Sequence, residues 1–546
     1  MFKLIFNSLS VSSYTHCFFE PTNPILGLIN VAIISLLSSF TLLSQKSYPI
    51  PSDLNKVDGL SMKILPGDTI WLAPGQRDAL SFHNLTGSPE KPIVILNDQG
   101  PVVVNTKKDY GISFSNCVHF HLTGTGGDQQ YGIEIAGTNS QGVWIGEFSS
   151  FAEVDHIKIH DVGFAGIMAK TDPNCTRRDL RFFIMEHLNF HDNYIYETGG
   201  EAFYVGYSWF PTRTFQCDSD SLLYSHEIRG VRIYNNQIKN THWDGLQVGS
   251  STHDVKLYNN HIFNYGLDDK QWQNHGVQIG AGTTGDFFNN IVQEGPGAGI
   301  SFFGRGDNRL FNNLLIDNGE AAIYHNDKGA WKGATYQIIN NTIVRPEEVG
   351  IWLNAELTTD NLVLNNLIIL SDQDREAIRN PTDKWTISNN LALREAETSP
   401  FIDDKKEDYR LQEEASALDA GTQIPWLKHD FNFAPRPVGE SFDIGALEGL
   451  SEEHPALKYP FSDKWNSRMK MEGRPIGNFY KIPYPPGFGT KSYILYDEAG
   501  ILLAKDSLSK PDQSIDFRAY KSGVYHLSLL SDDSPVMTIR LVHDQP

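Results

Sequence analysis

Two seven-residue stretches share one frame: WDGLQVG at 243–249 and NHGVQIG at 274–280. Both contain G-x-Q-x-G, and the residue ahead of the first glycine changes from Asp244 to His275. A third stretch, GGEAFYVG at 199–206, places Glu201 ahead of an alanine in a similar frame. Two carboxylates one repeat apart are what general acid/base cleavage of a glycosidic bond requires, one protonated and its neighbour ionised. Crowding raises one pKa of such a pair and creates that division. His275 would tune the pair or hold a sugar hydroxyl. The competing reading is structural, because Asp-Gly and Glu-Ala at turns cap strands through backbone hydrogen bonds.

The neighbouring residues extend the catalytic reading. By alternation, Tyr204, Gln247, Gln278 and Ser301 point outward one step along the same strands and offer hydrogen-bonding groups to a groove floor. Trp209, Trp243, Trp272 and Trp331 fall in the adjoining loops, where an indole face stacks on a sugar ring; packing of those loops onto the body is the alternative. Aligned on this frame, the residue before each Gly or Ala reads Tyr131, Ala165, Glu201, Asp244, His275, Ala298, Glu320 and Val349. The candidate catalytic set is therefore Glu201, Asp244 and His275. The candidate substrate-binding set is Tyr204, Trp243, Gln247, Trp272, Gln278 and Glu320.

Such a column needs a scaffold that repeats. An Asn-Asn pair recurs after a short strand, its second member being Asn236, Asn260, Asn290, Asn313, Asn341, Asn366 and Asn390, with Asn193 one step earlier. Short alternating strands in each repeat, with no amphipathic helical run, predict an all-β parallel β-helix whose turns stack at roughly 4.8 Å. Stacked asparagines in a turn hydrogen-bond along such a coil, so these pairs read as structural.

On these residues the chain resembles the right-handed parallel β-helix superfamily of pectate lyases, polygalacturonases and chondroitinase-type lyases. The opening ILPGDTIWLAPGQRDALSFHNLTGSPEKPIVI resembles the first coil and cap of its secreted members, and DYRLQEEASALDAGTQIPWLKHDFNFAPRPVGESFDIGALE resembles their closing coil. Asp244-Gly245 and His275-Gly276 match two polygalacturonase positions. His242-Trp243 stands where that family has Asn-Thr, its paired aspartates have no positional counterpart between Asp244 and His275, and its Arg-x-Lys is absent from the expected next coil. The lyase alternative implies β-elimination on a uronate polymer with a Lys or Arg base, for which Lys270, Arg305 and Lys328 are candidates. Calcium would serve that alternative; no cofactor is required for hydrolysis, and no metal ligands are assigned.

The totals fit an exported glycan-active protein. The chain has 546 residues, 40% of them apolar, and a net charge of −21 that argues against nucleic acid as partner. Residues 21–45 carry no charge, so 1–45 read as a signal or targeting segment, with an uncleaved anchor left open. Cys175 and Cys217 lie in irregular segments and are expected to form a disulfide, while Cys117 reads as a buried thiol. Residues 46–450 form the predicted β-helix and 451–484 a linker. Residues 485–546 form a small β-sandwich resembling the sorting domain of type IX secretion, with its GVY strand. The expectation is a monomer, secreted or at the cell surface, cleaving an extracellular polysaccharide. A non-catalytic glycan-binding or spacer protein is the reading from another class.

Overall fold

The computed structural model describes residues 45–217, 220–371, 375–397, 399–432 and 434–449, together with 471–473, 479–482, 492–497, 502–508, 513–521, 523–531 and 534–543. Residues 1–44 of the expected signal segment, Cys17 among them, and residues 451–470 of the expected linker lie outside the described residues. Among the described residues, no helix is long and apolar enough to cross a membrane.

The body is a right-handed parallel β-solenoid of about 12 turns built from three sheets, A with 13 strands and B and C with 12 each. One turn runs through Glu227–Tyr234 in sheet A, Gln237–Thr241 in sheet C and Leu246–Val248 in sheet B. Alternation sends Phe190, Ile233 and Leu257 inward from sheet A, and Phe203, Leu246 and Val277 inward from sheet B. They join one continuous apolar core. Each such side chain contributes about 1.5–3 kcal/mol of burial.

The Asn-Asn pairs occupy the corner between sheets A and C, and each member has its own task. The first asparagine holds a left-handed backbone, with φ of 52 to 57° at Asn235, Asn259, Asn289, Asn312, Asn340, Asn365 and Asn389. Asn is among the few residues with a side chain that adopt this region readily. The second builds a ladder from Asn193 to Asn390. Its Oδ1 accepts both the backbone N–H and the Nδ2 of the preceding turn's asparagine, at 2.8–3.2 Å.

The segment expected to be a closing coil is instead a strap laid lengthwise over four turns. Asn289 donates to Phe431 O at 3.2 Å, Asn312 to His429 O at 2.8 Å, Asn340 to Asp443 O at 2.8 Å and Asn365 to Thr422 O at 2.8 Å. These donors are the first asparagines of their pairs, left free to point outward by the left-handed backbone. A fully buried Arg436–Glu448 ion pair pins the strap to itself.

Beyond residue 470, a five-stranded sheet runs Met471–Gly473, Ser534–His543, Gly523–Ser531, Ser492–Asp497, Leu502–Ser507. Phe479–Lys481 pairs with Ser514–Asp516 in a second sheet. The two share an apolar cluster that includes Tyr480, Leu495, Phe517 and Leu527. Strands Met471–Gly473 and Phe479–Lys481 fall within the stretch read from sequence as linker.

Candidate functional site

The frame that opened the sequence reading is a corner of the solenoid. Phe203 pairs with Leu246, Leu246 with Val277 and Val277 with Ile300, so Glu201, Asp244, His275 and Ala298 stack on consecutive turns. At the Asp244 and His275 turns the following position is too tight for a side chain. A Cβ on Gly245 would lie 2.6 Å from Gly276 O, and one on Gly276 would lie 2.2 Å from Val292 Cγ1.

The three ionisable side chains lie under the corner, two residues before core-facing positions, and are 1%, 0% and 2% exposed at Glu201, Asp244 and His275. Asp244 Oδ1 accepts the backbone N–H of His275 at 2.8 Å, and His275 Nδ1 accepts that of Ala298 at 3.2 Å. Each of these two side chains therefore closes the backbone of the next turn. In neutral His275 the proton then sits on Nε2. Among the described residues, both Glu201 oxygens, Asp244 Oδ2 and His275 Nε2 have no hydrogen-bond partner. Burial pushes Glu201 up to about 7 and His275 down to about 4. Asp244 stands well above the ordinary carboxylate range through burial and then the nearby Glu201.

Two positions of the aligned column are corrected by register. Ala321, not Glu320, lies in the column, since Ile300 pairs with Ile323 and Ala321 with Val349; Glu320 is exposed one step earlier. The GIEI strand after Tyr131 belongs to sheet C, and the sheet B strand of that turn is Gln141–Gly146. Period-2 alternation reveals which way a residue faces, not which of three sheets holds it.

The outward face of sheet B carries Trp144, Met168, Tyr204, Gln247, Gln278, Ser301, Tyr324 and Trp352 in one register-matched column. Its central amides are covered, and they hold loops. Gln247 Nε2 donates to Ser208 Oγ at 2.6 Å, and Gln278 Nε2 donates to Trp272 O at 2.8 Å. Tyr204 shares the same serine, with its hydroxyl 2.9 Å from Ser208 Oγ. Cations lie over several of the indoles: Lys270 Nζ is 3.4 Å from the Trp243 ring centroid and Arg305 3.0 Å from that of Trp331. Arg213 lies 5.2 Å over Trp209. Trp243 also packs edge-on against Phe164, whereas the indoles of Trp209, Trp272 and Trp331 are exposed.

The face opens where a hairpin, Thr212–Gln216 with Asp220–Tyr224, rises between sheets B and A. The expected disulfide is present: Cys175 and Cys217, with Cα atoms 5.6 Å apart, join the 172–176 loop to this hairpin. Cys117 is a buried free thiol. Between loop and hairpin lies a cleft of about 500 Å³, walled by Tyr204, Tyr207, Trp209, Arg213 and Phe215, with Lys170 and Asp172 on its edge. Lys170 Nζ sits 4.1 Å from the Tyr204 ring centroid and 3.0 Å from Asp172 Oδ2, on a side chain 8% exposed. Burial would discharge this ammonium, but Tyr204 and Asp172 hold its pKa above the ordinary value.

Sequence reasoning passed over Lys170. The available signal was parity: Lys170 lies two residues after Met168, on the outward face that carries Tyr204 in the next turn. Calcium does not suit the described lining of the cleft, because among the described lining residues Asp172 is the one carboxylate and is engaged by Lys170.

A family model described as a right handed beta helix region matches residues 97–307 and 214–368. Among solved structures the chain is similar to pectate lyase Pel9A, at 15% identity over 75% of this chain and 98% of that one, with a TM-score of 0.45. It is also similar to an alginate lyase from Paenibacillus sp. str. FPU-7, at 14% identity over 64% and 99% of the two chains, with a TM-score of 0.34. A third is the A-module of a mannuronan C-5 epimerase from Azotobacter vinelandii, at 13% identity over 60% and 87%, with a TM-score of 0.37. No curated relative matches the sequence.

Proposed function

We propose that the protein is an exported, polysaccharide-active protein that cleaves a uronate-containing chain by β-elimination in the cleft beneath the disulfide-tied hairpin. The observation that carries this reading is Lys170, a buried cation on the edge of an open cleft of about 500 Å³ lined by aromatic rings. The chain's net charge of −21 repels a polyanion, so such a substrate needs a local cationic foothold. Lys170 and Arg213 supply it, and Trp209 and Tyr207 offer faces on which sugar rings stack.

In this reading Lys170 neutralises the uronate carboxylate and thereby acidifies the proton on the adjacent C5. The electron pair of the C5–H bond becomes the C4=C5 double bond, and the bond from C4 to the glycosidic oxygen breaks. The proton passes to that leaving oxygen. Tyr204, hydrogen-bonded to Ser208 beside Lys170, is the group placed to relay it.

Hydrolysis by Glu201, Asp244 and His275 is the second reading. It is favoured by the unpartnered oxygens of Glu201 and by its pKa of about 7, in the range of a general acid. Their burial ranks it second. The glycan-binding or spacer alternative needs neither set. Export is supported by the uncharged stretch 21–45 and by the disulfide, which belongs to an oxidising compartment. The C-terminal strands with their shared apolar cluster support a small β-sandwich, proposed as a secretion sorting domain.

The test is a panel of neutral and uronic polysaccharides, reading reducing ends and absorbance of the unsaturated product. Both signals on a polyuronate, lost roughly 100-fold in Lys170→Ala, are expected. Reducing ends without that absorbance, lost in Glu201→Gln, would move the chemistry to the buried column. Saturable binding without either signal would leave a glycan-binding protein.

A further inference from the structure

A second group of chemically capable side chains lies on the outer face of sheet A. His121 pairs in register with Glu153 and Glu153 with Asn189; one step along, Thr123 pairs with Asp155 and Asp155 with His191. Two adjacent outward columns on three consecutive turns thus carry two imidazoles and two carboxylates. Donor atoms of His121, Glu153 and Asp155 all lie within 4.8 Å of one another. His191 Nε2 joins them, 3.0 Å from Glu153 Oε1 and 3.8 Å from Asp155 Oδ2.

We propose that His121, Glu153, Asp155 and His191 form a binding site for a divalent first-row transition ion, with zinc as the best fit, that clips three turns of the solenoid together.

Four observations converge on this. A tetrahedral ion with bonds of roughly 2.0–2.1 Å keeps its donors about 3.3 Å apart; the two His191 contacts bracket that spacing, while His121 Nε2 and Asp155 Oδ2 touch directly and must part to admit the ion. The outer contacts orient the donors. His191 Nδ1 is 2.8 Å from Asp192 Oδ2, which fixes the ring with Nε2 turned towards Glu153 and Asp155, the carboxylate–histidine arrangement that accompanies metal-bound imidazoles. Asp155 Oδ1 is held by Thr123 Oγ1 at 2.6 Å and His156 Nδ1 at 2.5 Å, and Oδ2 faces the centre, where it contacts His121 Nε2. The charges also match, since two carboxylates and two neutral imidazoles balance a dication.

Two nitrogen donors select against calcium and magnesium, which take oxygen, and in favour of zinc and its neighbours. Access is open on one side. The side chains of Asp155 and His191 are 4% and 5% exposed, whereas those of His121 and Glu153 are 25% and 35% exposed. The alternative occupant is protons alone, giving an imidazolium–carboxylate cluster with no ion.

The test uses the full chain, stripped with a chelator and titrated with zinc and with cobalt(II), reading bound metal per chain, the visible absorption of cobalt and the melting temperature. One ion per chain is expected, with a cobalt spectrum of mixed nitrogen and oxygen donors, a raised melting temperature and no displacement by calcium. Affinity should fall roughly 100-fold in His121→Ala and in Glu153→Gln, and about 10–100-fold in Asp192→Asn, which touches no metal. Should His121→Ala fail to fold, Glu153→Gln carries the test, since its side chain is the most exposed of the four. Absence of saturable binding overturns the proposal, and so does binding left unchanged in stoichiometry, affinity and spectrum by Glu153→Gln.

Discussion

Two corners of the same solenoid stack one polar side chain per turn. At the corner between sheets A and C the stack is asparagine from Asn193 to Asn390; at the corner between C and B it is Glu201, Asp244 and His275. Both use a side-chain acceptor to close the backbone of a neighbouring turn. An amide is donor and acceptor together, so the asparagine ladder can continue indefinitely with its bonds made. A carboxylate only accepts, and among the described residues the acid column leaves Glu201, Asp244 Oδ2 and His275 Nε2 without partners. One corner thus repeats a self-satisfying amide, and the other carries groups that are expensive to bury.

Breaking the ladder in its middle should have the largest effect. Asn290→Leu removes the acceptor for Asn260 and the donor to Asn313 and leaves Leu257 O and Phe288 O short of a donor. A loss of about 3 kcal/mol or more is expected, read as a lower denaturant midpoint.

Next comes the pH dependence of the acid column. Glu201 keeps its proton to about 7 when folded, while the unfolded carboxyl loses it near 4.5. Between those values the folded state binds more protons, so stability falls as pH rises through this window, by up to about 3 kcal/mol. In Glu201→Gln the melting temperature should no longer fall from Glu201's titration between these pH values; an unchanged slope would show that the side chain is not buried in solution.

His275 gives a loss of opposite sign. It stays neutral down to about 4 when folded but takes a proton near 6.5 when unfolded, so stability declines as pH falls through that window. His275→Asn should lessen this acid sensitivity. The smallest effect belongs to Asp244→Asn, which retains an acceptor for His275 N and adds a donor to the column. Its stability at pH 7 should change by no more than about 1 kcal/mol. A larger loss would mean that the charge, and not the shape, holds this corner.

Much of this was legible in the sequence. The asparagine spacing announced the solenoid, and the type and order of Glu201, Asp244 and His275 placed them on successive turns. The Cys175–Cys217 bridge followed from two cysteines in irregular segments. Burial was not legible, because the residue before the glycine sits at a corner, where strand alternation no longer says which way a side chain turns. Gln247 and Gln278 were read as groove floor; they face outward, but loops folded over them and took their amides. Lys170 and the sheet A cluster escaped for another reason. Tyr204, the ring under Lys170, and the partners that meet in the sheet A cluster lie one or two turns away, at separations set by turns of unequal length that no local motif encodes.

The strap over the last turns has a consequence for the order of events. Asn289, Asn312, Asn340 and Asn365 complete their contacts only with chain that follows them, between residues 422 and 445. A polypeptide emerging from its N-terminus can stack turn upon turn, yet these four stay unlatched until that later stretch arrives. Pulled from the C-terminal end, the same region should resist until the strap peels and then release several turns in one step, a ratchet at one end of an otherwise turn-by-turn zipper.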